Sequence, residues 1–108
     1  MIDWARVKQL RDEVGASEFD EVVNIFLDEV QEVIGRLRTD THRVSFDQNL
    51  HFLKGSALSL GFQSLAKLCQ DGERHSAQGN SKSVDLDSIV QVFEASAAEF
   101  KSDLGKIS

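Results

Sequence analysis

Apolar side chains recur along this chain at alternating steps of four and three residues. The longest such run is Phe19, Val23, Phe26, Val30, Val33 and Leu37. That spacing follows the α-helical period of about 3.6 residues and puts the whole run on one stripe of a helix. A strand would scatter it, because successive strand side chains point to opposite faces. The pattern returns in Val7, Leu10 and Val14, in Phe46, Leu50, Leu53, Ala57 and Leu60, and in Phe62, Leu65, Leu68 and Cys69. It ends with Leu86, Ile89, Phe93, Ala97, Phe100, Leu104 and Ile107. The sequence contains no proline, the strongest helix breaker. Four main helices with short connections and one apolar stripe each predict an all-α chain: an antiparallel four-helix bundle with a short N-terminal cap helix.

Local signals mark most of the boundaries. Asp3 is placed to cap the first helix and Gly15 to stop it. Ser17, with acids just after it, opens the second, and Arg36 and Arg38 close it at the negative end of the helix dipole. The third has two possible starts: Asp40 as cap, or a capping box of Ser45 and Gln48. Gly61 ends it. The fourth weakens at Gly72, since an interior glycine costs about 1 kcal/mol against alanine and supplies no core side chain. Either a bulky neighbour fills that space or the helix bends there. Gly79-Asn80-Ser81 reads as a loop, and the fifth helix starts near residue 84.

Composition removes several classes of function. With 108 residues the chain is expected to form one domain, residues 1–108. Its 18 acids against 12 bases, net −6, argue against a nucleic-acid binder, which needs a basic face. No apolar run reaches the roughly 18–20 residues that cross a bilayer. The N-terminus, MIDWARVKQLRDE, is charged from residue 3 and does not read as a signal peptide. The lone Cys69 has no disulfide partner and is expected to be a small core residue. These features predict a soluble, cytoplasmic, monomeric protein.

Three histidines carry the possible chemistry: His42, His51 and His75. No two are spaced i, i+4, and no cysteine–carboxylate cluster accompanies them, so no metal site is expected. Phosphate-binding glycine loops and nucleophile elbows are absent from the sequence. His42 and His75 are expected at helix ends in solvent. His51 is different: it falls between core positions Leu50 and Leu53 but about 100° off the core stripe. Val44, Asp47, Gln48, Lys54, Gly55 and Leu58 share its face. Lys54, one turn on, can reach an anion held by the imidazole. Gly55 leaves space beside the ring for a partner, and Leu58 offers an exposed apolar contact. Charge follows the same division. Residues 41–82 hold three acids and five bases, whereas 1–40 and 83–108 are net acidic, which suggests a positive setting for an acidic or phosphorylated partner.

The run His51-Phe52-Leu53-Lys54-Gly55-Ser56-Ala57, followed by Leu60-Gly61, resembles the signature of histidine phosphotransfer (HPt) domains, His-x-x-Lys-Gly-Ser/Ala on the second long helix of a four-helix bundle. Leu65, Leu68 and Cys69 resemble that family's following helix. The resemblance implies that His51 is the phosphorylated nucleophile, that Lys54 neutralises phosphoryl charge, and that Gly55 gives access to a receiver domain. Gln48, Leu58 and Val44 would border that partner. It implies a phosphocarrier with no kinase or phosphatase activity and no cofactor of its own, Mg²⁺ coming with the receiver domain of a response regulator or hybrid kinase. Two departures stand out. Gly72 replaces a bulky apolar residue. Glu73 takes a place where the family often has a polar residue, and a carboxylate there would repel a phosphoryl group. A sensor-kinase phosphoacceptor helix would carry an acid after the histidine and a nearby proline, whereas Phe52 follows here. The remaining alternative is a non-phosphorylated helical adaptor docking through the same face. A hydrolase would need an organised partner for the histidine. Phe52 is expected to be half-buried, and Trp4 to pack the cap helix onto the bundle or to border the partner surface.

Overall fold

The computed structural model describes residues 2–40 and 42–104. They form α1 (Trp4–Val14), α2 (Phe19–Thr39), α3 (Phe46–Leu60), α4 (Gln63–Ala77), a 3₁₀ turn (Ser81–Ser83) and α5 (Leu86–Asp103). No strand occurs among the described residues. Ile107, expected on the last helix, lies outside them.

Each helix buries the stripe that its spacing announces. Val30, Val33 and Leu37 of α2, Leu50, Leu53 and Leu60 of α3, Leu65 and Cys69 of α4, and Ile89 and Phe100 of α5 meet in one core. Burying a side chain of this size contributes about 1.5–3 kcal/mol, which is what holds the helices together. The α2 stripe is broader than expected: Leu27 and Ile34 are buried as well, while Phe26 is only partly covered. The reason is that α2 packs against both α3 and α5. Since α3 also packs on α4 and α4 on α5, the four long helices close a ring, and α1 lies across α2 and α3.

The caps are a mixture of expected and corrected. Asp3 accepts from the Arg6 N–H at 3.3 Å, and the Gly15 N–H closes α1 on the Arg11 carbonyl at 2.9 Å. Ser17 does not cap α2. The helix starts at Phe19 behind Glu18, with no side-chain cap, and Asp20 and Glu21 face the positive end of its dipole. Ser45 and Gln48 form no capping box. Both Asp40 carboxylate oxygens instead accept from the Val44 and Ser45 N–H groups at 2.9 Å. Gly61 ends α3 in the left-handed region (φ 80°). Its N–H bonds the Leu58 carbonyl and the Phe62 N–H bonds that of Ala57, a paired closure of the last turn.

Gly61 also receives α1. Its carbonyl accepts the Asp3 N–H at 2.7 Å, and a Cβ there would stand 2.7 Å from the Asp3 carbonyl oxygen. Trp4 stacks on Phe100 with centroids 5.8 Å apart, and Phe62 meets Phe100 edge-on. Trp4 therefore packs α1 onto α5.

Gly72 neither ends nor marks the end of α4, which continues to Ala77. A Cβ at Gly72 would lie 3.0 Å from Leu50 Cδ1 and 3.3 Å from Val84 Cγ1. Bulky neighbours fill the place of the missing side chain.

Arg43, in the turn before α3, holds φ 54°, a rare conformation for a residue with a Cβ. Its guanidinium donates to the Ser81 carbonyl and, at 3.1 Å, to that of Val84, and it lies 4.4 Å over the Phe46 ring. This clamp fastens the start of α3 to the α4–α5 connection.

Candidate functional site

Leu50, Leu53 and Ala57 anchor α3 in the core and so turn the opposite face outward. The His51 side chain is 72% exposed on that face. Gly55, one turn on, is exposed, and a Cβ there would meet nothing within 4 Å. Gln48 and Leu58 are exposed on the same helix. Val44 is exposed too, but it sits in the turn ahead of α3 and not on the helix. Phe52, expected to be half-buried against a neighbouring helix, is 46% exposed and lines the groove beside α2.

Glu73 of α4 enters this face and holds both of its polar groups. Its Oε2 lies 3.2 Å from His51 Nδ1 and its Oε1 3.1 Å from Lys54 Nζ. A carboxylate only accepts, so the neutral imidazole carries its proton on Nδ1 toward Glu73 and its lone pair on Nε2. Oε1 is buried and makes no aligned hydrogen bond, so Lys54 compensates it as an ion pair. Ser76 donates to Asp47 as a second tie between α4 and α3. The close approach of α4 at Gly72 brings Glu73 to this position. Its charge weighs against Glu73 as a partner of a phosphoryl group, but the carboxylate contacts the ring at Nδ1 and leaves Nε2 as the nitrogen able to accept one.

Cys69 lies beneath. Burial, then the nearby Glu73 carboxylate, push its thiol up to about 12, with Lys54 opposing. It is a core residue, as expected, and no nucleophile. His42 is exposed between α2 and α3. His75, in the last turn of α4, donates from Nδ1 to the Asp71 carbonyl at 2.9 Å.

On the other side of His51 an open groove of about 390 Å³ runs between α2 and α3, lined by Phe26, Glu29, Phe52, Gly55 and Ser59. Phe26 and Glu29 are not singled out by spacing, because their nearness to His51 depends on how α2 lies along α3. Three of the five bases in residues 41–82 are engaged by partners, and an acid borders His51. Lys54 is paired with Glu73, Arg74 with Asp71 at 2.9 Å, Arg43 is committed to its clamp, and Glu29 stands in the groove.

The sequence model of one protein family, the Hpt domain, matches residues 21–103, which includes α3, α4, α5 and nearly all of α2. The chain belongs to the Hpt domain family. Hpt domains are phosphocarrier modules of histidine phosphotransfer in phosphorelays and work with receiver domains or kinases, and the all-helical structure agrees with that fold. No curated protein and no solved structure matches the chain. The His51-x-x-Lys54-Gly55-Ser56 run lies inside the matched span. Among the described residues, no helix of this Hpt domain is long and apolar enough to cross a membrane.

Proposed function

We propose that this Hpt domain relays a phosphoryl group between receiver-domain aspartates through phosphohistidine at His51. The observation that carries the reading is a largely exposed imidazole held at Nδ1 by Glu73, the same carboxylate that pairs with Lys54. The Nε2 lone pair attacks phosphorus in the aspartyl phosphate of a docked receiver. The N–P bond forms, the P–O bond to the aspartate breaks, and the carboxylate leaves with its electron pair. The ring keeps its Nδ1 proton and becomes cationic, and Glu73 balances that charge. Lys54 can turn from Glu73 to the phosphoryl oxygens. Reversal delivers the group to a second receiver. In-line positioning and charge neutralisation do most of the work in such transfers. Mg²⁺ belongs to the receiver, and the Hpt domain brings no cofactor, kinase or phosphatase activity of its own.

The finer architecture belongs to the same reading. The closed ring α2–α3–α4–α5 with short connections supports an antiparallel four-helix bundle capped by α1, one domain over residues 1–108. Such a closed core suits a monomer, and a lone reduced thiol suits the cytoplasm. Gln48, Gly55, Leu58 and Val44 then border the docked receiver.

The test is transfer of labelled phosphate from a phosphorylated receiver to wild type and to His51→Gln. Acid-labile, alkali-stable label on wild type alone is expected. Label on both would move the site elsewhere. Binding of both without label on either would favour the adaptor reading.

A further inference from the structure

Beside the buried stripe of α2 runs a second line at the same alternating steps: Glu18, Val22, Ile25, Glu29, Glu32 and Arg36. Glu29 lines the His51 groove, so this line forms the edge of the face on which His51 sits. Its middle is apolar. Ile25 is 52% exposed, and Phe52 stands exposed in the same groove together with Phe26. Ile25 is next to Phe26 in sequence, and exposed apolar side chains grouped beside a groove mark a contact surface. Toward the turn before α3 the line becomes acidic, with Glu29 and Glu32 both exposed. Arg36 lies 3.8 Å from Glu32, but both side chains are mostly in water, where such a pair holds weakly.

An apolar groove rimmed by carboxylates on one side sets both the shape and the sign of what fits it. We infer that the α2 edge is the specificity-determining half of the docking surface. It selects receiver domains whose contact surface offers an apolar side chain to the Phe26–Phe52 groove, flanked by lysine or arginine facing Glu29 and Glu32. The inference rests on the phosphotransfer reading and adds the chemistry of the partner. Rim charges of this type act on the rate of encounter more than on residence time. Receivers with acidic residues at that place would be repelled before transfer.

The experiment uses the full chain and a panel of phosphorylated receiver domains from the source organism. Loading of His51 is timed from about 0.01 to about 1 M salt, over which the Debye length falls from about 30 to about 3 Å. For the receiver that loads wild type fastest, Glu29→Lys/Glu32→Lys is expected to load on the order of ten-fold slower at low salt, the gap closing at high salt. Asp12→Lys/Glu94→Lys changes net charge equally away from the groove and is expected to stay within about two-fold. If circular dichroism shows the reversal variant misfolded, Glu29→Gln/Glu32→Gln replaces it, with a loss of about three-fold expected. Loading by the groove variant that matches the control at low salt would overturn the inference and leave phosphotransfer standing. If no receiver loads wild type, both readings fall.

Discussion

Among the described residues three glycines sit inside helices, and the same substitution is expected to act differently at Gly72 than at the other two. Glycine in a helix interior costs about 1 kcal/mol relative to alanine. At Gly35 and Gly55 a Cβ would meet nothing within 4 Å, so Gly35→Ala and Gly55→Ala should realise that whole difference as added stability. For a domain of this size the gain corresponds to a rise in Tm of roughly 4–8 °C. At Gly72 the Cβ would press on Leu50 at 3.0 Å and Val84 at 3.3 Å. Overpacking of that kind costs about 1–3 kcal/mol, which cancels or exceeds the helical gain, so Gly72→Ala should be neutral to about 2 kcal/mol destabilising. Function separates the first two. Gly55→Gln sets a long side chain one turn from His51 and should slow phosphate transfer by on the order of ten-fold or more through lost close approach. It should still melt no lower than wild type, and Gly35→Gln should transfer normally. Thermal melts by circular dichroism and label transfer read both quantities on the same samples. A Gly55→Gln protein that transfers at the wild-type rate would refute Gly55 as partner clearance. A Gly72→Ala protein that melts as high as Gly35→Ala would refute the packing account of Gly72.

Two further outcomes are expected. The Cys69 thiol, held neutral up to about 12 against an ordinary 9.0, keeps a proton in the folded state that the unfolded chain loses first, so stability should fall as pH rises above about 9. The slope for one group is about 1.4 kcal/mol per pH unit, and Cys69→Val should flatten it in denaturant titrations across that range. Gly61→Ala forces a Cβ against the Asp3 carbonyl and into a left-handed conformation that costs about 1–2 kcal/mol. Its first sign should be loss of Trp4 burial in fluorescence as α1 detaches; unchanged fluorescence would refute the docking role.

Helix identity was legible because the apolar steps reflect a burial demand that every helix meets locally. Asp3, Gly15 and Gly61 were legible as boundaries for a similar reason: caps are short-range chemistry. The face of His51 followed from the same periodicity, which places Gln48, Gly55 and Leu58 beside it. What spacing hides is the relation between helices. Leu27 and Ile34 are buried because α2 has neighbours on two sides. Gly72 reads as a weak point until Leu50 and Val84 are seen to occupy its space. Glu73 meets His51 across 22 positions of sequence, a contact set by how α3 lies against α4. Segment charge also hides partners: of the five bases in residues 41–82, Lys54 and Arg74 are paired and Arg43 is spent on carbonyls.

That clamp bears on how the molecule responds to acidity. Guanidinium groups keep their charge throughout the range in which imidazoles gain and lose theirs. The grip of Arg43 on the carbonyls of Ser81 and Val84 therefore rests on a charge that does not change over that range. The mount of the helix is separated from the reactive group that it carries.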